Sequence, residues 1–126
     1  MEEDRLSKIY YFVDTDGNIP VKRFIHSLNL KEQARIYAYI RQLKREGSNL
    51  SRPMADYLRS GIYELRPQKN RIFYFFYLKD NAVLVHAIKK KTEKIPENDL
   101  KLCLKRKNQI ETGYGYIEKL EWRGDL

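Results

Sequence analysis

The chain contains one cysteine, Cys103, so no disulfide can form within it. With only two histidines, His26 and His86, there is no ordinary zinc site, and no metal or other cofactor is expected. There is no internal repeat and no low-complexity linker. No apolar run approaches the roughly 20 residues that a membrane helix needs. The start, Met1-Glu2-Glu3-Asp4, is acidic and unlike a signal peptide. Together these absences predict a soluble, reduced, cytoplasmic protein with no membrane partner. The 126 residues suffice for one ordinary domain and not for two.

Positive charge and aromatic side chains are abundant. The formal net charge is +8, and 13% of residues are aromatic, with ten Tyr and five Phe. The charge is uneven: residues 59–110 carry thirteen basic and five acidic groups, while both ends are net acidic. A basic middle on a small domain favours a polyanionic partner, because binding releases condensed counterions. Solubility, or pairing with an acidic protein, would account for the same charge.

Residue patterns predict the elements. Ser7–Val13 is β-branched and aromatic, a strand, and Asp14-Thr15-Asp16-Gly17-Asn18 is a turn that ends it. Pro20 opens a short helix with Phe24, Ile25 and Leu28 on its apolar face. Lys31–Arg45 repeats apolar residues at helical spacing (Ala34, Ile36, Tyr37, Ile40, Leu43), and Gly47 sits where a C-cap belongs. Residues 47–60 read as loop. Ile62–Arg66, Arg71–Leu78 and Ala82–Ile88 read as strands joined by turns short enough only for hairpins, an antiparallel meander. Pro96 opens a last helix, about Glu97–Lys107. The order β-α-α-β-β-β-α predicts an α+β fold: one antiparallel sheet with the two N-terminal helices packed on it. The tail from Ile110, which includes Tyr114, Ile117 and Trp122, is open between helix and strand. The expected division is a core domain at 1–109 and a C-terminal extension at 110–126, packed on or near it.

The meander also predicts a site. Glu64 and Arg66 share one face of their strand, and Arg71 starts the next strand across a four-residue turn. With the second strand central, Lys89-Lys90-Lys91 returns beside Arg71. Several cations gathered at one sheet end suit a phosphate, arginine giving forked donors and lysine point charges. Lys69 and Lys94 flank the cluster, and Tyr63, Tyr74 and Tyr77 offer rings for base stacking. Each residue has a plainer reading. A lysine triplet at a strand exit guards against edge aggregation, the run Phe73–Tyr77 is core, His86 is structural, and Cys103 is a small core residue.

Three segments carry a resemblance. Ile62-Tyr63-Glu64-Leu65-Arg66, then Arg71-Ile72-Phe73-Tyr74, then Val83–Ile88 running into Lys90-Lys91-Thr92 and Lys94-Ile95-Pro96, are similar to the RelE/ParE superfamily of type II toxins, most of all its phage-derived HigB-like branch. That branch shows a strand ending Glu-Leu-Arg, a strand opening with Arg, and an apolar strand running into Lys-Lys-Thr and Lys-x-Pro. The match spans about residues 6–108.

The resemblance implies a toxin of a toxin–antitoxin pair: a metal-independent, ribosome-dependent mRNA endoribonuclease that inhibits translation. Its partners would be a helix-turn-helix, HigA-like antitoxin, the mRNA and the ribosome. Carried over, Arg66, Arg71, Lys90 and Lys91 are the catalytic set, with Lys90 or Lys91 as base. Lys89, Lys94, Lys69, Tyr77 and His86 are the nucleic-acid-binding candidates. The acid is open between His86, Tyr77 and Tyr114. The alternatives are a non-catalytic ParE-like topoisomerase poison or a simple nucleic-acid-binding module.

Overall fold

The structure is a computed structural model and describes residues 3–121. Its elements follow the chain as β1 (Lys8–Val13), α1 (Pro20–His26), α2 (Leu30–Glu46), β2 (Ala55–Arg59), β3 (Ile62–Leu65), β4 (Asn70–Tyr77), β5 (Asn81–Lys89), α3 (Glu97–Glu111) and β6 (Tyr116–Lys119). Pro20 opens α1 as the spacing predicts. The Asn29 side chain caps α2 by accepting from the Glu32 N–H at 2.8 Å. Gly47 closes α2 at φ 56°, a conformation that favours glycine.

The sheet has six strands in the order β2-β3-β4-β5-β1-β6. The meander β3-β4-β5 is antiparallel with β4 central, as expected. Two features correct the expected sheet, and a third decides the open reading of the tail. β1 runs parallel to β5, so the sheet is mixed and not antiparallel throughout. Residues 47–60 are not all loop: β2 pairs antiparallel with β3 through Ser60-Gly61, whose φ values are 52° and 85°. A two-residue turn with both φ positive matches strand twist, which is why it closes a hairpin. The tail forms β6, antiparallel to β1, and Leu120 donates its N–H to the Ile9 carbonyl at 2.8 Å. Trp122 lies outside the described residues, as does the Arg123-Gly124-Asp125 tripeptide.

Both faces of the sheet are covered. On one, Val21, Ile25, Ile36, Ile40 and Leu43 of α1 and α2 meet Ile9, Leu65, Ile72, Tyr74 and Leu84. On the other, Cys103 and Ile110 of α3 meet Ile62, Phe73, Phe75, Val83 and Val85. β4 is therefore buried along almost all its length, and its aromatic run is core. Complete burial of each such aliphatic side chain stabilises by about 1.5–3 kcal/mol.

A bulge in β5 has a consequence for the site. Phe73 pairs with His86 and Tyr74 with Leu84, so Val85 is the extra residue. Val85 packs towards α3, and His86 turns to the same side to meet Asp99 of α3. The Val85 carbonyl accepts from Arg106 Nη1 at 2.7 Å. Without the bulge, simple alternation would send His86 to the α2 side.

Candidate functional site

β3 ends where β4 begins, and the turn between them puts Arg66 across from Arg71. Lys90 extends the β4–β5 pairing beyond the strands by donating its N–H to the Lys69 carbonyl at 2.6 Å. The sheet register thus gathers Arg66, Lys69, Arg71 and Lys89-Lys90-Lys91 at one end of the sheet. The side chains of Glu64, Arg66 and Arg71 are on the α3 face.

Glu64 is the centre of this arrangement. Only 4% of its side chain is exposed. Its Oε2 accepts from Arg66 Nη1 at 2.7 Å, and its Oε1 lies 3.7 Å from Arg71 Nε. Those last two atoms are buried, and neither has a hydrogen-bond partner. Arg71 Nη1 donates to the carbonyls of Gln68 and Asn70 at 2.6 and 2.8 Å. Burial, then the positive charge of Arg66, pulls the Arg71 guanidinium below its ordinary range, and Glu64 acts in the opposite direction. Arg71 is therefore chiefly the brace of the Gln68–Asn70 turn, with a guanidinium edge lining the hollow beside it. The freer charges are the lysines: Lys69, Lys91 and Lys94 are exposed and Lys90 is half-buried. Lys89 reaches to Glu32 of α2 at 3.4 Å.

Two hollows adjoin here. One, of about 670 Å³, is lined by Gln68, Lys69, Arg71, Lys89, Lys90, Lys91, Thr92 and Glu93. The other, of about 480 Å³, runs between β2 and the start of α3 and includes Glu64, Arg66, Lys90, Glu93 and Lys94 in its walls. Lys90 and Glu93 belong to both.

The remaining candidates lie elsewhere. Tyr77 is six residues along β4 from Arg71, about 20 Å at the rise of a strand. It packs against Phe75, with ring centroids 6.2 Å apart, and is not brought to the cluster. Tyr114 follows the far end of α3, itself about 20 Å long. Tyr74 is buried with its hydroxyl unpartnered. His86 shares the α3 face, but its Nε2 is 2.7 Å from Asp99 Oδ1 and its ring stacks on Phe73. Burial holds the imidazole below its ordinary value, against the opposing pull of Asp99.

The sequence reading missed the wall contributed by β2. Arg52 pairs with Asp56 at 2.9 Å, and Arg59 pairs with Glu97 of α3. The signal that would have found it is Ser60-Gly61 standing between Ala55–Arg59 and Ile62, a hairpin dipeptide flanked by strand-like runs. Among the described residues, no three His, Cys, Asp or Glu side chains come together as a set able to hold a metal ion. No helix among them is long and apolar enough to cross a membrane.

Residues 23–108 match the model of the phage-derived protein Gp49-like family (DUF891), and the chain belongs to that family. It is a RelE/HigB-like family of toxins from toxin–antitoxin systems. The match includes α2, the meander, the lysine triplet and most of α3. No curated protein matches the chain.

Proposed function

We propose that this toxin is an mRNA endoribonuclease that works on the ribosome and needs no metal, and that the lysine-lined hollow binds the scissile phosphate. The observation that carries this reading is the meeting of Arg66, Arg71, Lys69 and Lys89-Lys90-Lys91 at one sheet end, with Glu93 among them. Like charges so close repel one another, and a bound phosphate relieves that repulsion.

In the proposed reaction the ribose 2′-oxygen attacks the adjacent phosphorus. A bond forms from O2′ to phosphorus, and the bond from phosphorus to O5′ breaks. The products are a 2′,3′-cyclic phosphate and a free 5′-hydroxyl. The proton leaving the 2′-hydroxyl goes to a base, and an acid delivers one to O5′. Among the described residues lining the hollow, the amines of Lys90 and Lys91 and the Glu93 carboxylate are the groups suited to these transfers. The cations stabilise the extra negative charge that builds at phosphorus. Arg71, braced on the Gln68–Asn70 turn, presents a guanidinium edge from the wall of the hollow. A cognate helix-turn-helix antitoxin would silence the site.

A cell-free translation reaction with one defined mRNA, run with and without ribosomes, tests this. Primer extension should show discrete cuts only when ribosomes are present, and the 5′ ends should be hydroxyls. Intact mRNA would refute the endoribonuclease reading.

A further inference from the structure

We propose that the groove between β2 and the start of α3 is a nucleobase subsite, holding the base next to the phosphate bound at the lysine hollow. This inference rests on the endoribonuclease reading above. The groove encloses about 480 Å³, within the range of pockets that enclose a small ligand. It joins the lysine hollow along Lys90 and Glu93, so a strand bound at the hollow can place a neighbouring base in it.

The two spaces differ in charge. In the hollow, five cations accompany the single carboxylate Glu93; Lys89 also reaches Glu32 and Arg71 faces Glu64 from outside it, which leaves Lys69, Lys90 and Lys91 as the freer charges. That balance suits phosphate. In the groove the arginines are already neutralised within the fold. Arg52 pairs with Asp56 at 2.9 Å, Arg66 with Glu64 at 2.7 Å, and Arg59 with Glu97. With Lys90 and Lys94 included, five cations in the groove face four carboxylates, so the wall attracts phosphate more weakly than the hollow does. The wall instead presents N–H donors beside carboxylate acceptors, the two kinds of partner that the edges of an unstacked base require. Leu58, Ile95 and Leu100 add apolar surface for the face of the ring.

Of the three pairs, Arg52–Asp56 is the one placed to read the base. Arg66–Glu64 is buried, with side chains 18% and 4% exposed. Arg59–Glu97 bridges the two walls. Arg52 and Asp56 are 63% and 35% exposed, and both precede β3 on one side of the groove, so a base can engage them without parting the walls.

The test uses the whole chain in cell-free translation of an mRNA pool with a randomised coding window, with cut ends sequenced. Asp56→Asn and Arg52→Ala should each change the base preference at one position beside the cut by about fivefold or more, the low end of the value of one good base contact. Lys91→Ala, which lines the hollow and not the groove, should lower cutting at every site without reordering them. Both groove side chains reach solvent, so thermal melts should match wild type. If Asp56→Asn and Arg52→Ala cut with wild-type preference, the subsite is wrong while the endoribonuclease reading stands. If wild type cuts no RNA, both fail.

Discussion

Glu64 and Arg71 stand on neighbouring strands with Glu64 Oε1 3.7 Å from Arg71 Nε, both atoms buried and neither hydrogen-bonded. The separation is too long for a hydrogen bond and short enough for strong attraction between the charges. The other Glu64 oxygen holds Arg66. One buried carboxylate thus positions two arginines at the sheet end.

Glu64→Gln keeps the shape and removes the charge, so both guanidiniums lose their counter-ion. Stability should fall by about 1.5–3 kcal/mol, the worth of a hydrogen bond to a charged group. Urea denaturation measures it. An unchanged midpoint would show that Glu64 does not hold the pair.

Stability should also fall as the solution is made mildly acidic. His86 is held below its ordinary value of 6.5, so the folded protein resists protonation more than the unfolded chain does. Its contribution is complete above that value and is lost as pH falls through the lower folded pKa. Asp4 and Glu97, held below the ordinary carboxylate range by Lys44 and Arg59, act only at lower pH still. Melting temperatures between pH 7.5 and 5 should drop in wild type and drop less in His86→Gln. Parallel curves for the two proteins would contradict this.

Cys103 is buried against the sheet, and burial pushes its thiol up to about 12. Alkylation at neutral pH should be on the order of a thousandfold slower in the folded protein than in denaturant, because the thiolate is the reactive form and burial depletes it by about that factor. Mass spectrometry over time distinguishes this from an accessible thiol, which would react at similar rates in both.

Salt should weaken RNA binding steeply. Each lysine that neutralises a phosphate contributes about 0.7 to the slope of log affinity against log salt on single strands. Removing Lys90 and Lys91 together should therefore flatten the slope by about 1.4. An unaltered slope would place the phosphates elsewhere.

Local patterns made much of this fold legible. Pro20, Gly47 and the short turns around Pro67 and Asp80 marked element ends, and the hairpins dictated that β4 is central. What escaped was non-local or subtle. Nothing in Ser7–Val13 says that the strand will lie parallel to β5, because that pairing joins residues more than seventy positions apart. β2 is short, with three charged or polar side chains, and only its Ser60-Gly61 turn betrays it. At the site, strand adjacency was enough to bring Arg66, Arg71 and the lysines to one end. The depth of Arg71 was not readable, since burial depends on Glu64 and the Gln68–Asn70 turn closing round it. Alternation misplaces His86, because the bulge at Val85 shifts its face. Tyr77 looked available only because six residues of strand separate poorly on paper and by about 20 Å in space.

The most direct measurement compares wild type with the Lys90→Ala, Lys91→Ala double variant in ribosome-containing translation of a defined mRNA. Thermal melts run alongside confirm that both proteins fold, which the solvent-facing position of Lys91 and the partial exposure of Lys90 favour. The predicted result is discrete cuts by wild type that the double variant lacks at equal stability. Cuts that persist in the variant would move the chemistry away from the sheet end. Intact mRNA with wild type, accompanied in cells by DNA damage, would make the basic end a docking surface for a topoisomerase.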